Sequence, residues 1–185
     1  MKNYILLTII FIGFLSCGKD DGDLSTNMLR YDGDNATSPI FPVGDHEAAA
    51  RFPSFVTNEF IGKQLTGVEV FIYNVPSSIF LNIYDSGSAV GPNIPIIRVD
   101  ITNSLTPNRM NLLEFSAPLD VTTEMWISIS WTQNIEEQVM GCDAGPANTN
   151  GDWVFLSTDM QGWSSFRQRT GESINWNIRG IVTDK

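Results

Sequence analysis

Met125-Trp126-Ile127-Ser128-Ile129-Ser130-Trp131-Thr132 is the stretch on which the fold turns. Ile127, Ile129 and Trp131 alternate with Ser128, Ser130 and Thr132, and successive side chains of a strand point to opposite faces of its sheet. The segment reads as an antiparallel strand with one face on a core and the other towards solvent. The same period recurs on both sides of it. Residues 67–73 place Val68, Val70 and Ile72 on one face, and Asn74-Val75-Pro76-Ser77-Ser78 breaks the run. Residues 79–84 form a second strand, closed by Asp85-Ser86-Gly87-Ser88. Residues 94–101 form a third, with Pro95 near its start as expected of an edge. Residues 110–115 form a fourth, closed by Ala117-Pro118, and 153–156 and 176–182 supply two more. The only helical stretch is short, around 53–61, with one further turn near Glu47. About nine short strands separated by Gly, Pro and Asn turns predict an all-β fold, a jelly-roll-type antiparallel β-sandwich with one short helix.

The N-terminus carries a different signal. Met1-Lys2-Asn3 precedes an apolar run, YILLTIIFIGFL, over residues 4–15. One positive charge followed by about a dozen apolar residues is the pattern of a secretory signal peptide. A membrane span needs roughly 20 such residues. Phe14-Leu15-Ser16-Cys17-Gly18 resembles the lipobox of bacterial lipoproteins, with the departure that Phe14 takes the usual Leu position. The resemblance implies acylation of the Cys17 sulfur and cleavage just before it, leaving the protein lipid-anchored in the outer membrane. Lys19-Asp20-Asp21 resembles the export signal of surface-exposed lipoproteins in Bacteroidetes, which implies display at the cell surface. The chain then divides into a signal peptide (1–16), a lipidated tether (17–27) and one sandwich domain (28–185).

Composition narrows the function. Across 185 residues, 11 Lys and Arg face 21 Asp and Glu, a formal net charge of −10. A basic patch for nucleic acid is not expected of such a chain. Of two cysteines, Cys17 is assigned to the anchor, so Cys142 has no disulfide partner and reads as a buried small hydrophobe. With His46 as the only histidine, a zinc site or Cys–His pair has little material. No phosphate loop, nucleophile elbow or zinc motif is present. Glu136 and Glu137 would face opposite sides of a strand. The expectation is a protein that is not an enzyme.

Two groups of residues are candidates for binding. Trp131 and Trp176 lie in alternating strands and belong to the core, whereas Trp163 sits in the polar loop Gly162-Trp163-Ser164-Ser165 and Trp153 at a strand start. Flat aromatic faces stack on sugar rings, so Trp153 and Trp163, with Asp143 and Asp152 of the loop between 143 and 152, form the candidate ligand-binding set. In the same loop Asn148, Asn150 and Asp152 alternate, the spacing by which oxygen ligands surround calcium. Asp32 and Asp34 could converge on the same ion, giving a structural calcium site as a further expectation.

Six short patches complete the reading: Ala48-Ala49-Ala50-Arg51-Phe52, Met125-Trp126-Ile127, Gly141-Cys142-Asp143-Ala144-Gly145-Pro146, Gly151-Asp152-Trp153, Gly162-Trp163-Ser164-Ser165 and Trp176-Asn177-Ile178. In this order they resemble the β-sandwich modules of Bacteroidetes surface proteins, akin to the adhesin and haemagglutinin modules of secreted peptidases. The resemblance spans residues 28–183 and implies a non-catalytic adhesion or binding module for a glycan or a host or partner protein. Those modules usually sit beside a peptidase, whereas here one stands alone on a lipid anchor. A structural subunit of an envelope complex, or a glycan hydrolase, are the alternatives.

Overall fold

The computed structural model of the protein describes residues 27–185; Cys17, Lys19, Asp20 and Asp21 lie outside them. Its strands are β1 (Met28–Leu29), β2 (Ile40–Phe41), β3 (Gly44–Phe52), β4 (Gln64–Ile72), β5 (Ser78–Tyr84), β6 (Gly87–Ser88), β7 (Gly91–Pro92), β8 (Ile97–Asp100), β9 (Arg109–Asp120), β10 (Met125–Gln133), β11 (Glu137–Gln138), β12 (Trp153–Leu156), β13 (Ser164–Ser165) and β14 (Ile178–Thr183). Two short helices, α1 (Ser54–Thr57) and α2 (Phe166–Thr170), interrupt them. One sheet has the order β13-β12-β3-β10-β5-β8 and the other β1-β14-β4-β9, and all their pairings are antiparallel. The chain crosses between the sheets at β3–β4, β4–β5, β8–β9 and β9–β10, the winding of a jelly-roll-type sandwich.

Alternation decides which residues fill the space between the layers. Ile127, Ile129 and Trp131 of β10 meet Val68, Val70 and Ile72 of β4, with Trp176 beside them, all almost fully buried. Burying one large aliphatic or aromatic side chain contributes about 1.5–3 kcal/mol, so this layer dominates stability. Cys142 lies within the same core, as expected. Among the described residues no helix is long and apolar enough to cross a membrane.

The structure departs from the sequence reading in four places. Glu47 is not in a helical turn but in β3, a nine-residue strand paired on both sides by β10 and β12. Ala48, Ala49 and Ala50 favour helix in isolation, but here each is buried between strands, and packing overrides weak propensity. β9 runs on through Pro118 to Asp120, with a register shift opposite Leu65 and Gly67 of β4. Proline is admissible there because β9 is an edge strand. β8 begins at Ile97, after Pro95, and is the edge of the larger sheet. The helix α2 was not expected at all.

Candidate functional site

The larger sheet has a second face, turned away from the core. β3 sends Asp45, Glu47, Ala49 and Arg51 to it, β10 sends Trp126, Ser128, Ser130 and Thr132, and β5 sends Phe80, Asn82 and Tyr84. The register aligns these side chains in rows across the strands. Phe155, Glu47, Ser130 and Phe80 form one row, and Trp153, Ala49, Ser128, Asn82 and Arg98 the next. Residues read as solvent-facing in sequence are in part covered. Ser128, Asn82 and Trp126 are fully buried, because partners from neighbouring strands close over them.

Glu47 is the centre of the polar part. Its Oε1 accepts hydrogen bonds from the Ser128 hydroxyl, from Tyr84 OH at 2.7 Å and from Asn82 Nδ2 at 3.1 Å. Burial raises its pKa, and the Ser128 and Tyr84 hydrogen bonds, the Arg98 charge and the Asn82 amide only partly oppose this. Burial, then the Glu47 carboxylate, raises the Tyr84 phenol in turn. Arg98 Nη1 donates to Asn82 Oδ1 at 2.9 Å and to Ser130 Oγ at 3.2 Å, and its guanidinium lies 4.1 Å over the Phe80 ring. Thr132 donates to Asp45 at 2.6 Å. Asp45, Glu47, Arg98, Ser130 and Thr132 line a trough of about 330 Å³ whose walls include Phe80 and Phe155. Opposite strands are about 4.8 Å apart, which puts the two phenylalanines, three strands apart, roughly 14 Å from each other.

The aromatic part adjoins it. Trp126 packs edge-on against Trp153 at 5.1 Å and Trp163 at 6.4 Å, with Ala49 and Tyr84 beneath. Its Nε1 donates to Glu124 at 2.9 Å, and Arg51, paired with the same carboxylate, lies 5.4 Å over the ring. The β6–β7 hairpin backs Trp163. A Cβ on Gly91, whose φ is +129°, would stand 2.5 Å from the indole, so only glycine allows this approach. Trp153 and Trp163 together wall a depression of about 200 Å³, with Ser164, Arg167 and Gln168 also lining it. Trp163 is half-buried rather than fully exposed, and Phe155 of the trough lies 6.0 Å from it.

The sequence candidates therefore separate. Trp153 and Trp163 are brought together. Asp152 lies buried beside them, its Oδ2 accepting from the Ser165 hydroxyl at 2.5 Å and the Arg167 N–H at 3.0 Å. Asp143 belongs elsewhere. It accepts from Gly33 N, Asn175 N, Asn175 Nδ2 and Gly145 N at 2.7–3.0 Å. Burial alone would raise its pKa, but these donors outweigh it and hold the carboxyl below its usual value.

Among the calcium candidates, the oxygens of Asp32 and Asn148 accept from protein donors. The stretch around Asp32 does meet the 143–152 loop, but Asn175, Asn177 and Arg179 hold the two together. Asp32 accepts from Asn177 Nδ2 at 2.7 Å and pairs with Arg179 at 2.9 Å. Asn148 Oδ1 accepts from Asn150 N at 2.9 Å, and Asp34 stands exposed. Among the described residues, no three His, Cys, Asp or Glu side chains gather where they could hold a cation.

Two other features bear on function. A cavity of about 600 Å³ lies between the free edges of β8 and β9 and is lined mostly by aliphatic residues such as Ile97, Leu112 and Leu113, with Phe115 among them. Asp100 and Glu114 are its only charged lining residues, and no polar network converges there. The potential nucleophile Cys142 is fully buried, and burial, with the Asp143 and Glu172 charges, pushes its thiol up to about 12. His46 Nε2 is 2.8 Å from the Pro42 carbonyl oxygen, among Phe41 and Trp131 in the core. Sequence reasoning missed Glu47 and Arg98, whose partners come from strands far apart in the chain.

Fold and site define an antiparallel β-sandwich with a polar and aromatic outer face on its larger sheet. Among solved structures, the chain is similar to a clostridial cysteine protease (Cwp84) after propeptide cleavage, with a TM-score of 0.61 and 10% sequence identity. The match covers 86% of this chain and 41% of that one, so the chain spans well under half of that protein. At this identity the likeness concerns the fold. No protein-family model and no curated protein sequence matches the chain.

Proposed function

We propose that this protein is a non-catalytic binding module, lipid-anchored through Cys17 at the outer membrane and facing outward, that holds glycans on the outer face of its larger sheet. The observation that carries this reading is the depression walled by Trp153 and Trp163, with Ser164, Arg167 and Gln168 also lining it. Indole faces suit the apolar faces of sugar rings, and the serine, glutamine and arginine side chains beside them supply directional hydrogen bonds. The acidic chain and the Asp45 and Glu47 carboxylates favour neutral glycans over polyanionic ones. The fold's likeness to part of a protease agrees with a module of the peptidase-associated kind.

Glycan-array screening of the unlipidated chain, residues 18–185, followed by calorimetry, tests the proposal. Trp163→Ala is expected to weaken sugar binding by about 1–3 kcal/mol, the scale of one stacked aromatic contact on a ring. Absence of binding to every glycan, or unchanged affinity in Trp163→Ala, refutes it. The aliphatic slot between β8 and β9 favours a second reading, an envelope subunit packed against another protein. A stoichiometric partner recovered by pull-down from intact cells, and lost in Leu112→Lys, would support that reading.

A further inference from the structure

The trough is not needed to explain a site built on Trp153 and Trp163, yet its floor is prepared for a ligand. Three donors fix Glu47 by Oε1 alone, and among the described residues no protein donor reaches Oε2. Arg98 is anchored by Nη1 and by stacking on Phe80, and its Nε and Nη2 have no acceptor among the described residues. An open acceptor and an open double donor thus line one cavity, held by residues whose own positions are fixed from three neighbouring strands. Adjacent hydroxyls on a sugar ring offer the complement, since each can both donate and accept. Phe80 and Phe155 supply apolar walls.

Resting on the glycan reading above, we propose that the trough is a second subsite for the same ligand, which is a neutral oligosaccharide chain rather than a single sugar. One ring lies in the Trp153–Trp163 depression. The chain passes Phe155, and a later ring sets an unsubstituted vicinal diol against Glu47 Oε2 and Arg98. The depression, about 200 Å³, suits a single ring, and the trough extends across four more strands of the sheet. Phe155 lines the trough and its ring lies 6.0 Å from that of Trp163, which lines the depression, so the two regions adjoin at this aromatic pair.

Calorimetry with glucose and mannose, and with their linear β-1,4-linked oligomers up to the hexasaccharide, tests the second subsite on residues 18–185. Oligomers are expected to bind roughly tenfold or more tightly than the monosaccharide, because a tethered second contact avoids a second loss of translational freedom. Arg98→Gln, at an exposed position, is expected to bring oligomer affinity down to that of the monosaccharide, and Phe80→Ala to do the same. Affinity independent of chain length, or a length-dependent gain that survives Arg98→Gln, overturns the second subsite while leaving the depression as the binding site. No binding of any sugar overturns this inference and the glycan reading together.

Discussion

Asp143 and Glu47 are acidic residues of similar intrinsic strength, placed in surroundings that push them in opposite directions. Four N–H donors converge on Asp143 and hold it ionised, whereas Glu47 is raised by burial that its hydrogen bonds do not fully offset. Their contributions to stability therefore have opposite pH dependence. The lowered folded pKa of Asp143 gives stability that is present above its ordinary value of 3.8 and is lost as the pH falls through the folded value. The raised folded pKa of Glu47 gives stability that is complete below 4.5 and is lost as the pH rises through the folded value. Urea unfolding across about pH 3 to 8 checks both signs. Glu47→Gln is expected to flatten the upper slope. Asp143→Asn is expected to flatten the acid slope and to cost about 2–3 kcal/mol at neutral pH, because one amide group cannot accept from all four donors. An unchanged profile in either variant contradicts its assignment. The sequence marked Asp143 as a site residue from its loop but could not show that its partners are three backbone N–H groups and the Asn175 side-chain amide. Glu47 carried no signal, since its donors lie on β5 and β10, more than 30 positions away.

At the scale of elements, legibility followed periodicity. β10 was read nearly to the residue because its alternation is unbroken and hydrophobic burial enforces it, and β12 because it is a short, wholly apolar run. β3 was missed because Glu47-Ala48-Ala49-Ala50 has no alternation to read: small residues are buried on both of its faces. Those alanines are required by what sits on them. Ala48 and Ala50 face the core, while Ala49 lies under the Trp126, Trp153 and Trp163 cluster. Ala49→Leu is expected to cost about 1–3 kcal/mol through overpacking and to lift the indoles out of register with the sheet. Sugar affinity should fall and tryptophan emission should shift to the red. Ile129→Val, on the core side of β10, is expected to cost about 0.5–1.5 kcal/mol without altering sugar affinity. Equal losses of affinity in the two variants would show that the outer face has no function separate from general stability.

On the scale of the whole molecule, the two sheets divide the work. The described chain enters at β1, on the edge of the smaller sheet, while the proposed binding face is the outer surface of the larger one. Packed sheets stand about 10 Å apart, so the proposed site lies on the layer opposite the one at which the described chain enters. No sequence pattern could have announced this face, because it gathers residues from 45 to 168 and depends on the register of five strands. The N-terminus, in contrast, is legible without any fold, since its resemblance to a signal peptide and lipobox rests on linear sequence alone. Anchor and site should therefore be separable by mutation. Cys17→Ala is expected to block acylation and maturation, moving the protein out of the membrane fraction or leaving it at precursor mass. Purified from that strain, it should bind sugar as the parent domain does, while intact cells lose capture of a labelled oligosaccharide. Protease shaving of intact parent cells should remove the domain if it faces outward and spare it if it faces the periplasm. Unchanged fractionation and mass in Cys17→Ala would refute the anchor, and normal cell-surface capture in that variant would show that the domain is held there by other means.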